Sequence, residues 1–325
     1  MTKFALTSLV LLAIAPFAAA DIVYEGKWGT QGTGEGQFDH PWDVEAAVGG
    51  RVFVTDRSNH RVQYFTATGS YRGRWGTFGS GRGMFRSPAG LGLSGTYVYV
   101  ADTFNHRLQY FDKSGSYVGT WGSFGTGPGQ FTRPLGAAFG GNYVYVADAG
   151  NHRLQYFNAS GSLLGSWGEF GTGNGQFNTP LGVAVAGNGN VYVTDSGNHR
   201  VQYFTATGSF RGTWGAAGTG DGQFRTPGGV SVAPGGRVFV VDTENHRVQY
   251  FTAAGSFLGK WGSRGPADGQ FNYPVGVCAT TWLPGDTAHL RVYVADSNNN
   301  RIQYFKEVEP AVFPASVGRV KALFR

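Results

Sequence analysis

One decapeptide is written six times along the chain, and it limits the fold more than any other feature. Its clearest copy spans residues 242–251 and reads Asp-Thr-Glu-Asn-His-Arg-Val-Gln-Tyr-Phe. The other copies begin at Asp56, Asp102, Asp148, Asp195 and Asp296. A Trp-Gly pair recurs with the motif, and successive tryptophans of these pairs are 46 or 47 residues apart. A fixed period of this length is typical of stacked repeats and of propellers.

Each repeat reads as four short strands joined by tight turns. In one copy the strands, here called a to d, are predicted at residues 181–185, 190–194, 199–204 and 209–214. Strand a has the smallest residues, so we expect it at a crowded central axis, and strand d should be outermost. Four sequential antiparallel strands form a meander, which is one blade of a propeller.

The two ends of the chain predict how the ring closes. The last repeat stops at Phe305 without a fourth strand, and residues 23–29 at the beginning resemble the missing strand. An N-terminal strand that completes the last blade leaves no free sheet edge. The predicted fold is therefore all-β: a six-bladed β-propeller of four-stranded antiparallel blades, closed by the N-terminal strand.

Five of the six copies contain Asn-His-Arg, and the sixth has Asn300 in place of the histidine. The pattern resembles the NHL-repeat family, which is named for an Asn-His-Leu signature, and the resemblance covers residues 23–305. It implies a propeller. It leaves function open, because similar propellers serve as protein-binding modules, RNA readers, sensor domains and one class of amidating lyase.

The first twenty residues have the pattern of a secretory signal peptide. Lys3 precedes an apolar run at residues 4–17, and three alanines follow it. We therefore divide the chain into a signal peptide (1–20), a propeller (21–305) and a short basic tail (306–325), and we expect a secreted, periplasmic or surface protein. No stretch is apolar and long enough to predict a transmembrane helix.

Composition adds three limits. The formal charge of +6 is mild for this length and favours acidic partners only weakly. Nucleic acid is an unfavoured partner, because the basic residues are scattered and do not form a stripe. The single cysteine excludes an internal disulfide framework, and we expect Cys278 to be a buried free thiol on an inner strand.

The turns between strands b and c and the loops between strands d and a should lie on one face of the disc, here called the top face. The repeated aspartates, histidines and arginines occur in these turns with the period of the blades, so we interpret them as scaffold residues. The glycine-rich loops lead into another strand and not into a helix, which argues against a phosphate-binding loop.

Binding is expected where the copies differ. The first strand a reads Pro-Trp-Asp-Val-Glu, and its Asp43 and Glu45 stand where other copies have small residues. The two carboxylates should project the same way, about 7 Å apart along the strand. The predicted partner-binding residues at the channel mouth and around it are His40, Trp42, Asp43, Glu45, Arg86, Arg133, Arg225 and Tyr273.

Two functional interpretations follow. The first is a monomeric, non-catalytic binding or scaffold propeller that recognises a protein, an envelope polysaccharide or a small ligand on its top face. The alternative is an extracellular lyase or hydrolase that uses Asp43 and Glu45 as catalytic groups. No cofactor is predicted, although the acidic pair leaves open a metal ion in the central channel. The long turn at residues 282–289 belongs to the opposite, bottom face.

Overall fold

A computed structural model describes residues 21–281 and 289–308. Within these residues it contains 24 strands in six four-stranded antiparallel sheets, each of which is one blade. The predicted signal peptide (1–20), most of the long turn (282–288) and the tail from residue 309 lie outside the described residues.

The blades are numbered in chain order, and each is given from the inner strand a outward. Blade 1 comprises β2 (Pro41–Ala46), β3 (Val52–Asp56), β4 (Arg61–Phe65) and β5 (Tyr71–Trp75). Blade 2 comprises β6 (Pro88–Leu93), β7 (Tyr97–Asp102), β8 (Arg107–Asp112) and β9 (Tyr117–Trp121). Blade 3 comprises β10 (Pro134–Gly140), β11 (Tyr143–Asp148), β12 (Arg153–Asn158) and β13 (Leu163–Trp167).

The second half of the ring repeats this order. Blade 4 comprises β14 (Pro180–Val185), β15 (Val191–Asp195), β16 (Arg200–Phe204) and β17 (Phe210–Trp214). Blade 5 comprises β18 (Pro227–Val232), β19 (Val238–Asp242), β20 (Arg247–Phe251) and β21 (Phe257–Trp261). Blade 6 comprises β22 (Pro274–Thr280), β23 (Arg291–Asp296), β24 (Arg301–Val308) and, as its outer strand, β1 (Asp21–Trp28). One-turn 3₁₀ helices connect strands b and c at Thr103–Asn105, Ala149–Asn151, Ser196–Asn198, Thr243–Asn245 and Ser297–Asn299.

The core lies between the blades. Phe53 and Val62 of blade 1 pack with Leu91, Val98 and Val100 of blade 2, and every other pair of neighbouring blades has an equivalent cluster. Both faces of strand b are therefore buried, which explains why its sequence alternates aromatic residues with valine and not with charged residues. The outer strand d of blades 1, 2 and 3 instead alternates between half-buried and exposed side chains.

Ring closure by the N-terminal strand is confirmed. β1 pairs antiparallel with β24, and Trp28 at its end contacts both Tyr304 of blade 6 and Phe65 of blade 1. Glu25 of β1 also pairs with Arg291 at 2.8 Å. The pairing runs further than predicted, because Asp21 lies opposite Val308 and extends the strand beyond Phe305.

The inner strands crowd the axis, as the small residues of strand a predicted. A Cβ atom on Gly90 would lie 2.5 Å from the carbonyl oxygen of Leu135 in the next blade, so glycine is required there. Blade 1 has Asp43 at this position, and the ring is therefore asymmetric at its centre. No helix among the described residues is long and apolar enough to cross a membrane.

Candidate functional site: the top face and the central channel

The side chains of the repeated motif form a hydrogen-bond network that holds each blade together. In blade 1, Asp56 accepts hydrogen bonds from the Asp39 amide (2.8 Å), Arg61 Nε (2.6 Å) and Gln63 Nε2 (3.1 Å). The same arginine donates to three carbonyl oxygens of the glycine loop, at residues 33, 34 and 37. Buried polar groups need such partners, so the prediction that the repeated aspartates and arginines are structural is confirmed.

The repeated histidines join each blade to the next. Nδ1 of His152 accepts a hydrogen bond from the Thr179 amide at 3.0 Å, just before the inner strand of the following blade. Asn300 replaces the histidine in blade 6, and its Oδ1 accepts from the His40 amide at 2.9 Å. Burial lowers the pKa of three of the histidines, which favours the neutral ring that this bond needs. They are His60, His106 and His246.

These contacts fix the backbone of the variable positions and leave their side chains free to differ. The six residues before the inner strands all have a positive φ of 49–54°, and they are His40, Ser87, Arg133, Thr179, Thr226 and Tyr273. The b–c turns and the d–a loops meet through these bonds, which confirms that they share the top face. Across residues 21–281 and 289–308, no group of three or more His, Cys, Asp or Glu side chains is placed to hold a metal ion. The metal ion in the channel stays a prediction.

The centre of the ring is divided into two cavities by a narrow waist. Trp42 packs, as Leu181 does, against the buried cluster of Ala89, Leu135 and Ala149 at the top of the axis. The space beneath it, between the inner strands, has a volume of only about 20 Å³. A top cavity of about 480 Å³ lies above Trp42, and a bottom cavity of about 740 Å³ opens on the opposite face.

Asp43 lies in the waist and bridges two blades. Its Oδ2 accepts a hydrogen bond from the Leu91 amide of blade 2 at 2.8 Å, and its Oδ1 accepts from Val44 at 2.9 Å. Burial raises the pKa of Asp43 to about 7, although these two hydrogen bonds oppose the rise. The structure does not place Asp43 at the mouth of the channel as expected, because Asp43 lines the waist and not the top cavity.

Glu45 lies beyond the waist and faces the bottom cavity, so its expected position on the top face is also wrong. Strand a runs from the top face to the bottom face, and a residue two positions after Asp43 is carried past the waist. Burial, and then the charge of Asp43, raise the pKa of Glu45 to about 8. Its carboxylate lies within hydrogen-bonding reach of the Cys278 thiol, and no ion pair of the described residues includes it.

Cys278 is a buried free thiol, as predicted, with 3 % of its surface exposed. Its sulfur accepts a hydrogen bond from the Ala46 amide at 3.3 Å, across the seam between blades 6 and 1. Ser231 does the same one blade earlier, where its hydroxyl accepts from the Ala279 amide at 3.0 Å. Burial, followed by the charge of Glu45, raises the pKa of the thiol well above its ordinary value.

The top cavity lies over blades 5, 6 and 1, with Leu181 of blade 4 at its edge. Its lining residues are His40, Trp42, Arg57, Ser58, Leu181, Thr226, Thr243, Glu244, Tyr273, Val275, Ser297 and Asn298. The guanidinium of Arg57 stacks on Trp42 with its carbon 3.7 Å from the ring centroid. Burial, and secondarily the charge of Arg133, lower the pKa of Arg57 to about 10.

The predicted site residues are therefore divided among three places. His40, Trp42 and Tyr273 line the top cavity, whereas Asp43 and Glu45 lie deeper in the channel. The three predicted arginines are exposed on the top face outside the cavity lining, and they are Arg86, Arg133 and Arg225.

Sequence reasoning did not choose Arg57 and Glu244 as site residues. Both lie in the b–c turns, and an alignment of the six repeats shows that Arg57 is unusually large and basic for its position. The residues that correspond to Arg57 are all small, namely Thr103, Ala149, Ser196, Thr243 and Ser297.

Comparisons with known proteins agree with this architecture. The family model described as NHL repeat matches residues 38–65, 177–204 and 224–251. A search of curated proteins found no match.

Among solved structures, a structural-genomics protein of unknown function from Bacteroides thetaiotaomicron VPI-5482 superposes with a TM-score of 0.66 at 18 % identity. That superposition covers 89 % of this chain and 76 % of the other. A streptogramin B lyase superposes with a TM-score of 0.60 at 12 % identity, covering 89 % and 99 % of the two chains. A chain of a nidogen/laminin complex superposes with a TM-score of 0.54 at 15 % identity, covering 71 % and 82 %. At these identities the likeness shows the fold alone.

Proposed function

Because the chain is an NHL-repeat six-bladed β-propeller, we propose that it is a non-catalytic binding propeller, exported under the direction of residues 1–20. Its top cavity binds a small ligand, an envelope saccharide or a segment of a protein that presents an anionic group. The observation that carries this proposal is the guanidinium of Arg57, which is half-buried in the cavity and stacked on Trp42.

Arg57 is a cationic side chain in the top cavity that has no counter-ion among the described residues. No ion pair among the described residues includes it, and burial already disfavours its charge. A half-buried cation without a counter-ion is costly, and a carboxylate or phosphate in the cavity would offset that cost. Arginine also suits the role because its planar group can stack on an aromatic ring and still donate two parallel hydrogen bonds.

The remaining lining supplies recognition of hydroxyl groups and apolar surface. Tyr273 presents an exposed ring, while Glu244, Ser297 and Asn298 supply polar groups around the rim. A volume of about 480 Å³ lies within the usual range of about 300–1,000 Å³ for ligand pockets.

Binding is favoured over catalysis because the repeated histidines of the top face and the carboxylate of the waist are already engaged in hydrogen bonds. The repeated histidines accept backbone hydrogen bonds, and both oxygens of Asp43 are bound to amides in a waist too small for a substrate. The top cavity contains a cation, aromatic rings and hydroxyl groups together with His40 and Glu244 at its lining, a set of groups that suits recognition of a partner.

The test replaces Arg57 while leaving the ring intact. Wild type, Arg57→Gln, Arg57→Lys and the control Arg225→Gln are immobilised and exposed to an extract of the native envelope. They are also titrated with oligosaccharides of glucuronate and of glucose. Arg57→Gln should weaken binding of the anionic partner by about tenfold or more, Arg57→Lys less, and Arg225→Gln hardly at all. If Arg57→Gln binds like wild type while His289→Ala abolishes binding, the proposed face is wrong.

A second candidate function rests on Glu45. This carboxyl has a pKa raised to about 8 and faces a bottom cavity of about 740 Å³, so it could donate a proton at neutral pH. That placement suits the lyase or hydrolase interpretation better than the waist position of Asp43. A lyase and lactone-hydrolysis panel run with wild type and Glu45→Gln tests it: turnover lost only in the variant would support catalysis, and no turnover would reject it for those reactions.

A further inference from the structure

Half of the top face carries a row of exposed phenylalanines that the top cavity does not use. Phe78, Phe124 and Phe170 occupy the same position in three consecutive blade junctions, and their exposed fractions are 64, 68 and 67 %. At the other three junctions this position holds Gln31, Ala217 and Arg264. Exposed aromatic rings that recur side by side on one surface indicate an interaction site.

The three rings lie at one height above the disc. Each belongs to a glycine loop that forms the same parallel bridge to a buried phenylalanine seven residues later. Each rests on the histidine of the preceding blade, with ring centroids 4.9, 4.8 and 5.0 Å apart. Equivalent positions in a ring of repeats share a plane perpendicular to its axis, so a flat surface can contact all three rings together. Met84 and Phe104, each 41 % exposed, extend the same half.

Charge distinguishes this half from the other. The loops that carry the rings, residues 76–87, 122–133 and 168–179, contain three arginines and one acidic residue. The corresponding loops at 29–40, 215–226 and 262–273 contain two arginines and four acidic residues. Two of the three arginines lie over rings of the patch: Arg86 is 5.8 Å from the Phe78 centroid, and Arg133 is 5.5 Å from that of Phe104.

We propose that this aromatic half of the top face, defined by Phe78, Phe104, Phe124 and Phe170 with Arg86 and Arg133, docks on an anionic lipid surface. The rings enter the boundary between headgroups and acyl chains, and the arginines contact the anionic headgroups. Phenylalanine side chains beside basic residues are the usual composition of surfaces that bind membranes peripherally. A bilayer is favoured over a protein because the rings form a planar array, whereas a protein partner would need three separate pockets in matching positions.

The binding test uses the chain from Asp21 onward. This chain keeps the closing strand Asp21–Trp28 and all the strands that follow it. Wild type is sedimented with vesicles of phosphatidylcholine alone and of phosphatidylcholine with phosphatidylglycerol at 3:1. Wild type should bind the anionic vesicles and release them in high salt. The variant Phe78→Ser/Phe124→Ser/Phe170→Ser should bind at least about tenfold more weakly, because each buried phenylalanine contributes on that scale.

The matched control removes three exposed apolar side chains elsewhere: Val48→Ser/Val118→Ser/Leu164→Ser, at an a–b turn and on two outer strands. It should bind as wild type does. Urea unfolding of both triple variants checks that the ring is intact. The double variant Arg86→Gln/Arg133→Gln should weaken binding and reduce its dependence on salt.

A second measurement locates the contact directly and is independent of the basic tail. Because Cys278 is buried, a polarity-sensitive dye can be attached selectively to Phe124→Cys or, on the opposite face, to Val48→Cys. Vesicle binding should shift the emission of the dye at position 124 to the blue and leave position 48 unchanged. Failure of wild type to sediment with anionic vesicles overturns the proposal. So does a vesicle-bound protein whose dye at position 124 stays in water. Capture of a protein through the same rings without vesicle binding would make the patch a protein interface instead.

Discussion

Replacing Glu45 with glutamine should change how the stability of the propeller depends on pH. Burial raises the pKa of Glu45 from 4.5 to about 8, so the folded protein keeps this proton over a range in which the unfolded chain has lost it. In wild type, the stabilisation that the protonated Glu45 gives to the folded state is complete below pH 4.5 and is lost as the pH rises through about 8. Glutamine resembles the protonated acid and does not titrate, so the variant should gain stability relative to wild type across this window.

The size of the effect follows from the pKa and from the position of the side chain. At about 1.4 kcal/mol per pKa unit, a carboxyl sealed from water would contribute about 5 kcal/mol. Glu45 is only half-buried and faces a bottom cavity of about 740 Å³ that water can fill. Solvent screening therefore reduces the expected difference in unfolding free energy between pH 4.5 and pH 9 to about 1–2 kcal/mol.

Urea unfolding of wild type and Glu45→Gln at several values between pH 4.5 and 9 measures this difference directly. The matched control is Glu35→Gln, which removes an exposed carboxylate from a glycine loop and should follow wild type at every pH. A difference between Glu45→Gln and wild type that stays constant from pH 4.5 to 9 would refute the argument that Glu45 is protonated in the folded protein.

Three further predictions concern the scaffold. Deleting residues 21–28 should expose β24 and separate blade 6 from blade 1, giving a less cooperative, aggregating protein; a calorimetric transition identical to that of the full ring would refute this. His152→Ala should destabilise the ring by about 0.5–1.5 kcal/mol in urea, because the Thr179 amide loses its acceptor at a site that water can reach. His152→Asn should restore most of this, since Asn300 performs the same role in blade 6, and equal losses in the two variants would contradict the assignment. Cys278 should resist a thiol reagent until the protein is unfolded, and rapid native labelling would show that the seam between blades 6 and 1 opens.

The fold could be predicted from the sequence because every copy of the repeat carries the same signals of local structure. Each copy combines a strand alternation, a turn motif and a glycine loop, and these have only one compatible arrangement when copied six times in phase. Even the closing strand was evident, because residues 23–29 supply what the last repeat lacks. The exact ends of the two paired strands could not be predicted, since the pairing of Asp21 with Val308 depends on register and not on the repeat.

The site was predictable only as a set of places where the copies differ. Trp42 and Tyr273 were found in this way, and both line the top cavity. The depth of Asp43 and Glu45 in the channel could not be predicted, because it depends on where strand a crosses the plane of the ring. An alignment of the repeats marks Arg57 as unusual in size and charge, but only the structure shows that its guanidinium stacks on Trp42 in the top cavity.

The departures from symmetry at the centre of the ring concentrate in blade 1, next to the blade in which the two ends of the chain meet. Trp42, Asp43, Glu45 and Arg57 all belong to blade 1, and Glu45 contacts Cys278 of blade 6. The top cavity is lined mainly by blades 5, 6 and 1, so it spans the junction that the N-terminal strand closes. A ligand in that cavity would bind the closed ring and not the open chain, and its binding energy would add to the stability of closure. The repeated residues hold all six junctions together, while Trp42, Asp43, Glu45 and Arg57 lie beside the one blade whose outer strand, β1, is joined to its other three strands only by the pairing with β24.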